Sequence, residues 1–383
     1  MMAAWQSAQG VCVLVTVVGT RGSSYRSPGA RMLILPDGSR IGAVSGGCLE
    51  GELCRRAHWW TSQSPAVLKT FDTSTQEDNE GFGLGCGGGI DLFVERLPAP
   101  DVAGESNPLL AQQRVNQSRE PSALAVLVHA TDGCALPVGE RFALENAHDH
   151  PEIATLLRRG VKLGYSFTQE LREGPFSGCR FFVESLTPPV QLLVCGAGTD
   201  AQPLVAQAAA LGWSITVMDR RADFARPARF PEAERVIAAN DATAFAPLRF
   251  DQRTAAIIMS HSFAQDTFFL ETLLDTLLAQ RLGYLGVLGS RRRTLDVLAR
   301  LGRDAIPACL HAPAGLDIGA ETPEQIALSI LSEMQATFTN RPGRPLRQRD
   351  GSIHGREHRL EYGPDQHDNA EQHSTPLRDC GLL

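Results

Sequence analysis

The chain has 383 residues, 43% hydrophobic and 21% charged, enough for two or three globular domains that each bury a core. Its net charge of −7, from 36 basic against 43 acidic residues, lacks the basic excess of a nucleic-acid binder. No apolar run reaches the roughly 18 residues of a membrane span, the N-terminus lacks a signal-peptide layout, and nine cysteines without paired spacing point to a reducing cytoplasm, with neither membrane nor nucleic acid as partner.

In chain order, Val11–Val18 reads as a buried strand, followed by a polar loop over Thr20–Gly29 and a strand over Arg31–Leu35. Pro36-Asp-Gly-Ser39 is a hairpin turn, because proline presets φ and glycine supplies a positive φ. A strand over Ile41–Val44 then delivers the chain into Ser45-Gly46-Gly47-Cys48-Leu49-Glu50, and a helix is predicted over Leu49–Trp60. Strands follow at Val67–Phe71 and Gly89–Glu95, the second entered through Gly83-Leu84-Gly85-Cys86-Gly87-Gly88-Gly89. Pro98–Asn107 is a connection, and Ala123–Val128 and Arg180–Glu184 are two more strands, with no clear boundaries between them.

The two glycine loops carry the first candidate site. Glycine lets a backbone take positive φ and approach a ligand closely. A cysteine there has an unscreened sulfur near backbone N–H groups, which favour the thiolate that binds metals. Two such loops in one region make Cys48 and Cys86, with Gly46, Gly47, Gly85 and Gly87, a candidate metal- or cofactor-binding set. Both leave strands of one predicted sheet, so the two sulfurs are expected to converge. The competing reading is a pair of structural cysteines beside tight turns.

Pro188-Pro189 marks the expected boundary between an N-terminal mixed α/β domain (1–188) and a Rossmann-like, doubly wound parallel-sheet domain (189–340). Strands at Gln191–Cys195, Ser214–Met218, Thr254–Met259 and Gly283–Leu288 alternate with helices around Ala201–Leu211, Phe268–Leu278 and Thr294–Leu301. Thr322-Pro-Glu-Gln325 predicts a capping box at the start of a last helix, whose apolar stripe is Ile326, Ile330, Leu331 and Met334. The polar tail, 341–383, is expected to be disordered and dispensable.

Within this domain Gly196-Ala-Gly198-Thr-Asp-Ala201 has the G-x-G-x-x-A form of a dinucleotide-binding turn, and Asp219 ends the next strand where an acidic residue meets a ribose hydroxyl. Arg220 and Arg221 suit an extra phosphate there. His261 follows a strand end as a candidate acid or base, and Arg291 and Arg292 open a helix after Gly289-Ser290 as candidate anion contacts. Hydrated surface positions are the plain alternative for His261 and the arginines.

Taken together, Gly22-Ser-Ser-Tyr25, Pro28-Gly-Ala30, Ser45–Glu50, Phe71-Asp72, Gly85-Cys-Gly-Gly88, Cys195-Gly-Ala-Gly198, Asp219 with Arg221, Gly286–Arg293, Pro313–Gly319 and Thr322–Ile330 resemble the xanthine dehydrogenase accessory proteins of the XdhC/CoxI type. The resemblance implies a chaperone that binds molybdenum cofactor (molybdopterin), supports its sulfuration with a cysteine desulfurase, and passes it to a xanthine dehydrogenase-type molybdenum hydroxylase. It also implies a homodimer without turnover of its own. Thiolate suits a sulfur-rich metal complex, and the glycine-arginine loops suit the pterin phosphate. The cofactor is expected between the two domains. Thr199 stands where the family usually has histidine, and Ser260-His261 where Thr-His is more usual. The chain itself is not expected to be xanthine dehydrogenase, because its cysteines lack iron–sulfur spacing. The alternatives are an NAD(P)-dependent oxidoreductase that uses His261 and an interaction scaffold with a vestigial Rossmann domain.

Overall fold

The computed structural model describes residues 1–21, 26–47, 49–72, 89–278 and 281–349. The described residues divide into two compact units, one over 1–188 and one over 189–349.

After a short helix α1 (Met2–Ser7), the first unit contains a five-stranded antiparallel sheet: β1 (Cys12–Arg21), β2 (Arg31–Ile34), β3 (Arg40–Gly42), β4 (Ala66–Asp72) and β5 (Gly89–Leu97) in the order β3-β2-β1-β5-β4. The predicted hairpin turn is present, with Gly38 at φ +83° and Leu35 N–H donating to Ser39 O at 2.8 Å. Strand β1 is apolar from Cys12 to Val18, Thr16 apart, because both of its faces are buried over that stretch. Val13, Val15 and Val17 meet Leu49, Leu53 and Ala57 on and beside α2 (Glu50–Gln63). On the opposite face Val18 and Phe93 meet Val126, Val128 and Phe182 of a second sheet.

That second sheet comprises β6 (Ser122–His129), β7 (Arg141–Ala143), β8 (Phe167–Glu170) and β9 (Arg180–Leu186) in the order β7-β6-β9-β8. Ile153, Leu156 and Leu157 of α4 (Pro151–Leu163) pack against Ala123, Ala125, Leu127, Phe181 and Val183 on its other face. Strands β7 and β8 and helix α4 fill the stretch between the two predicted strands in which the sequence showed no clear boundaries, and α3 (Pro108–Ser118) precedes it. The pairs Arg31–Glu184 and Arg141–Glu95 lie at the sheet–sheet interface, around a small cavity also lined by Thr16 and Phe93. Burial pushes the Glu184 carboxyl up despite its two arginine neighbours.

The second unit is a six-stranded, wholly parallel sheet: β10 (Gln191–Cys195), β11 (Ser214–Asp219), β12 (Arg235–Ala238), β13 (Thr254–Ile258), β14 (Tyr284–Val287) and β15 (Leu310–His311). Its order is β12-β11-β10-β13-β14-β15. Leu192 and Val194 point to α5 (Ala201–Ala210) and α8 (Pro323–Phe338), while Leu193 and Cys195 point to α6 (Phe263–Leu278) and α7 (Arg291–Arg300). Helices thus cover both faces, as a doubly wound sheet requires. The capping box of α8 is formed: Gln325 N–H donates to Thr322 Oγ1 at 3.4 Å, and Thr322 N–H to Gln325 Oε1 at 3.1 Å.

Candidate functional site

In the first unit, Cys48, Gly85, Cys86 and Gly87 lie outside the described residues, so the expected meeting of the sulfurs lies there too. The chain segments that lead to them are described. Pairing of Arg21 and of Asp72 with Gly89 puts the ends of β1 and β4 and the start of β5 together at one end of the sheet, while β3 runs in the same direction but stops at Gly42, level through Met32 with Val15 of β1. Strands β3 and β4, which lead to the two cysteines, thus run in the same direction but end at different levels of the sheet. Arg21 braces that end by forking onto Asp91 at 2.9 and 3.2 Å, and Thr70 Oγ1 donates to the same carboxylate at 2.7 Å. A Cβ at Gly89 would stand 2.8 Å from the Arg21 guanidinium, which would have to shift to admit it.

The loop before Cys48 is held by its own sequence. Glu50, 1% exposed, accepts from Val44 N–H at 3.2 Å, Ser45 N–H at 2.8 Å and Ser45 Oγ–H at 2.5 Å. Ser45 Oγ in turn accepts from Gly47 N–H at 3.2 Å and Leu49 N–H at 3.3 Å. Burial alone would raise the Glu50 carboxyl, but the bonds from Ser45 and Val44 outweigh it and hold it below its ordinary value. Gly46 and Gly47 are exposed, and Gly47 has φ +117°, where a side chain would be strained. The amides of Gly47 and Leu49 are thus spent on Ser45.

In the second unit the turn after β10 and the loop after β13 flank the point where strand order reverses, the usual ligand position in such sheets. They abut closely: a Cβ at Gly196, φ +123°, would lie 2.8 Å from the backbone of Met259 and Ser260. Gly198 faces His261 Nε2, 3.7 Å from where its Cβ would be. His261 is 72% exposed and its Nε2 is 3.2 Å from Asp200 Oδ2.

Asp219 is fully buried. Its Oδ2 accepts from Ala197 N–H at 2.8 Å and Arg221 Nη2 at 2.8 Å, and its Oδ1 from Arg221 N–H at 2.8 Å and Nε at 2.9 Å. Burial raises its carboxyl, but the bonds from Arg221 and Ala197 win and hold it low. Arg221 also lies over the Phe224 ring at 3.6 Å. Asp219 thus braces the glycine turn with all its acceptor positions engaged.

Arg291 and Arg292 are exposed on the first turn of α7, which begins one turn before the expected Thr294. Ser290 caps that helix, accepting from Arg293 N–H at 3.3 Å. Arg293 is drawn inward to Asp266, which takes its Nε at 3.0 Å and Nη2 at 2.6 Å and also accepts the Ser260 hydroxyl. Asp266 therefore ties the His261 loop to the start of α7. Sequence reading missed Asp200, Asp266 and Glu333. Glu333 accepts from Tyr284 Oη–H at 2.6 Å and Gly315 N–H at 2.8 Å, and lies 3.0 Å from His311 Nδ1. Burial opposes ionisation of Glu333, yet His311 and Tyr284 bring its carboxyl down to about 2. The signal available for it was one carboxylate bordering the apolar stripe of α8.

Comparison with known proteins finds the XdhC and CoxI family over residues 5–72 and the XdhC Rossmann domain over residues 192–334. The chain is 30% identical over 338 residues to a Bacillus subtilis protein described as a probable xanthine dehydrogenase subunit, covering 88% of this chain and 96% of that one. It is 26% identical over 327 residues to the molybdenum cofactor insertion chaperone PaoD of Escherichia coli, covering 84% and 82% of the two chains. Among solved structures, a protein described as a xanthine dehydrogenase from Bacillus halodurans superposes with a TM-score of 0.69 at 25% identity, covering 89% of this chain and 95% of that one.

Proposed function

The chain belongs to the XdhC and CoxI family, and from that premise we propose that it is a molybdenum-cofactor accessory protein that holds the cofactor for insertion into a molybdenum hydroxylase. The observation that carries this reading is the near full-length similarity to a molybdenum cofactor insertion chaperone. The common direction of β3 and β4, which lead toward the two cysteines, agrees with it, since thiolate is a soft ligand suited to a sulfur-rich metal complex. In this reading Cys48 and Cys86 contact the metal dithiolene, with Gly46, Gly47, Gly85 and Gly87 giving close access. Gly196, Gly198 and His261 line the second unit's ligand position, Asp219 props its turn, and Arg291 and Arg292 offer charge to a phosphate.

The finer parts of the proposal are that the cofactor is sulfurated on this protein with a cysteine desulfurase as partner, that the client is of xanthine dehydrogenase type, and that the protein acts in the cytoplasm as a homodimer. No helix among the described residues is long and apolar enough to cross a membrane. The test is to express the full chain in cells that make molybdenum cofactor and in cells that cannot. Metal analysis and the fluorescence of oxidised pterin then read what co-purifies. Molybdenum and pterin together, only from the first cells, support the proposal. A bound nicotinamide dinucleotide with no pterin would replace it with the oxidoreductase reading.

A further inference from the structure

A dinucleotide-binding turn offers two anchors: helix N–H groups for the pyrophosphate and a strand-end carboxylate for the ribose. Here the chain's own side chains occupy both. A carboxylate has about four acceptor positions, and Asp219 fills them with four N–H donors, three of them from Arg221. At the other anchor Asp200 stands at the N-cap of α5 yet caps no amide with its side chain. Its Oδ1 lies 2.5 Å from where a Gly198 Cβ would be, beside the glycine turn, and the side chain is 23% exposed. A pyrophosphate placed there would meet a negative charge.

From this we propose that the crevice between β10 and β13 receives a hydrogen-bond donor edge in place of a phosphate, with Asp200 as its acceptor. The partner that holds Asp200 is the exposed His261, at 3.2 Å from Oδ2 and 3.4 Å from Oδ1. Surface pairs of this kind add little stability, so a ligand displaces His261 at small cost. Once His261 is displaced, the chemistry that matches the two carboxylate oxygens is an amino-pyrimidinone edge, which presents an amine and a ring N–H side by side. Pterins and guanine both carry it. The choice of a pterin between them rests on the proposed cofactor role. Asp200 then meets the pterin ring, and the phosphate is left to other groups.

The test uses the full chain and four probes: 6-hydroxymethylpterin, guanosine, lumazine (a pteridine with oxygen in place of the 2-amino group) and NAD+. Pterin binding is read by fluorescence, the others by calorimetry. The expected result is saturable pterin binding, lumazine weaker by about tenfold or more, and no saturable NAD+ binding, since losing a charge-assisted bond weakens binding by about that factor. Asp200→Asn is expected to weaken pterin binding by about tenfold with the melting temperature unchanged. Tighter guanosine than pterin binding keeps the donor-edge site but overturns the pterin assignment. Lumazine binding as well as pterin in the wild type, or an unchanged pterin affinity in a folded Asp200→Asn, overturns the role of Asp200. If the chain carries pterin from cofactor-making cells, the proposed function survives that failure. Saturable NAD+ binding overturns the inference whatever the variants do.

Discussion

Glu50→Gln tests how the loop before Cys48 is held, because it removes a charge and keeps the volume. The glutamine oxygen still accepts from the amides of Val44 and Ser45, now at 3.2 and 2.8 Å from Glu50 Oε1. Its NH2 group, however, faces the Ser45 hydroxyl, which donates to Glu50 Oε2 at 2.5 Å. Two donors then meet. The hydroxyl must rotate, and with one of its two lone pairs taken by the NH2 group it gives up one of the amides of Gly47 and Leu49, now at 3.2 and 3.3 Å. One charge-assisted bond is lost, and one loop amide is left to whatever water reaches it. With about 1.5–3 kcal/mol for the first and less for the partly wetted amide, the cost is about 2–3 kcal/mol. Ser45→Ala is expected to cost about 2 kcal/mol by the same bonds, and the double variant to fall short of the sum by about 1 kcal/mol or more. Urea unfolding at pH 7 reads this through Trp5, Trp59 and Trp60, which lie in the first unit, in a Trp213→Phe background. A loss under about 0.5 kcal/mol for Glu50→Gln, or an additive cycle, would refute the reasoning.

Three further outcomes follow from the same geometry. Glu333, with its carboxyl at about 2 against an ordinary 4.5, contributes stability that is complete above the ordinary value and is lost as pH falls from there toward 2. Glu333→Gln is therefore expected to lose about 3 kcal/mol at pH 7 and to flatten the acid limb of the stability curve between pH 4.5 and 2, checked by urea midpoints across that range. Cys86→Ser and Cys48→Ser should each lower the molybdenum that co-purifies while the melting temperature stays put; Arg291→Ala should weaken the same ligand, and an unchanged affinity would remove the arginines from the site. Truncation after Asn340 removes only exposed or nearly exposed positions up to residue 349, so the melting temperature and bound pterin should stay as they were; loss of folded protein would show that the tail docks.

The fold was legible where local pattern and tertiary demand agree. Strand β1 reads as apolar on both faces because it is central between two layers, and Thr322-Pro-Glu-Gln325 announces α8 through its own capping bonds. The region between β6 and β9 was not legible, although α4 carries a clear stripe at Ile153, Leu156 and Leu157, because its short flanking strands β7 and β8 have only three and four residues. At the site, glycine spacing exposed the turn at Gly196 and the loop at Gly46-Gly47. What each carboxylate does there was hidden. Asp219 lies where a ribose acceptor belongs, yet Arg221, two residues on, consumes it. Asp200 and His261 are 61 positions apart, and only the folding of two strands side by side brings them together.

The central claim is transfer of the cofactor, and reconstitution tests it most directly. A molybdenum hydroxylase purified without its cofactor is mixed with molybdenum cofactor, with and without the full chain, and its activity is followed over time. The account predicts faster and more complete activation when the chain is present, with the gain lost in Cys86→Ser. Equal activation with and without the chain, for hydroxylases of the xanthine dehydrogenase type and of other types alike, would contradict it.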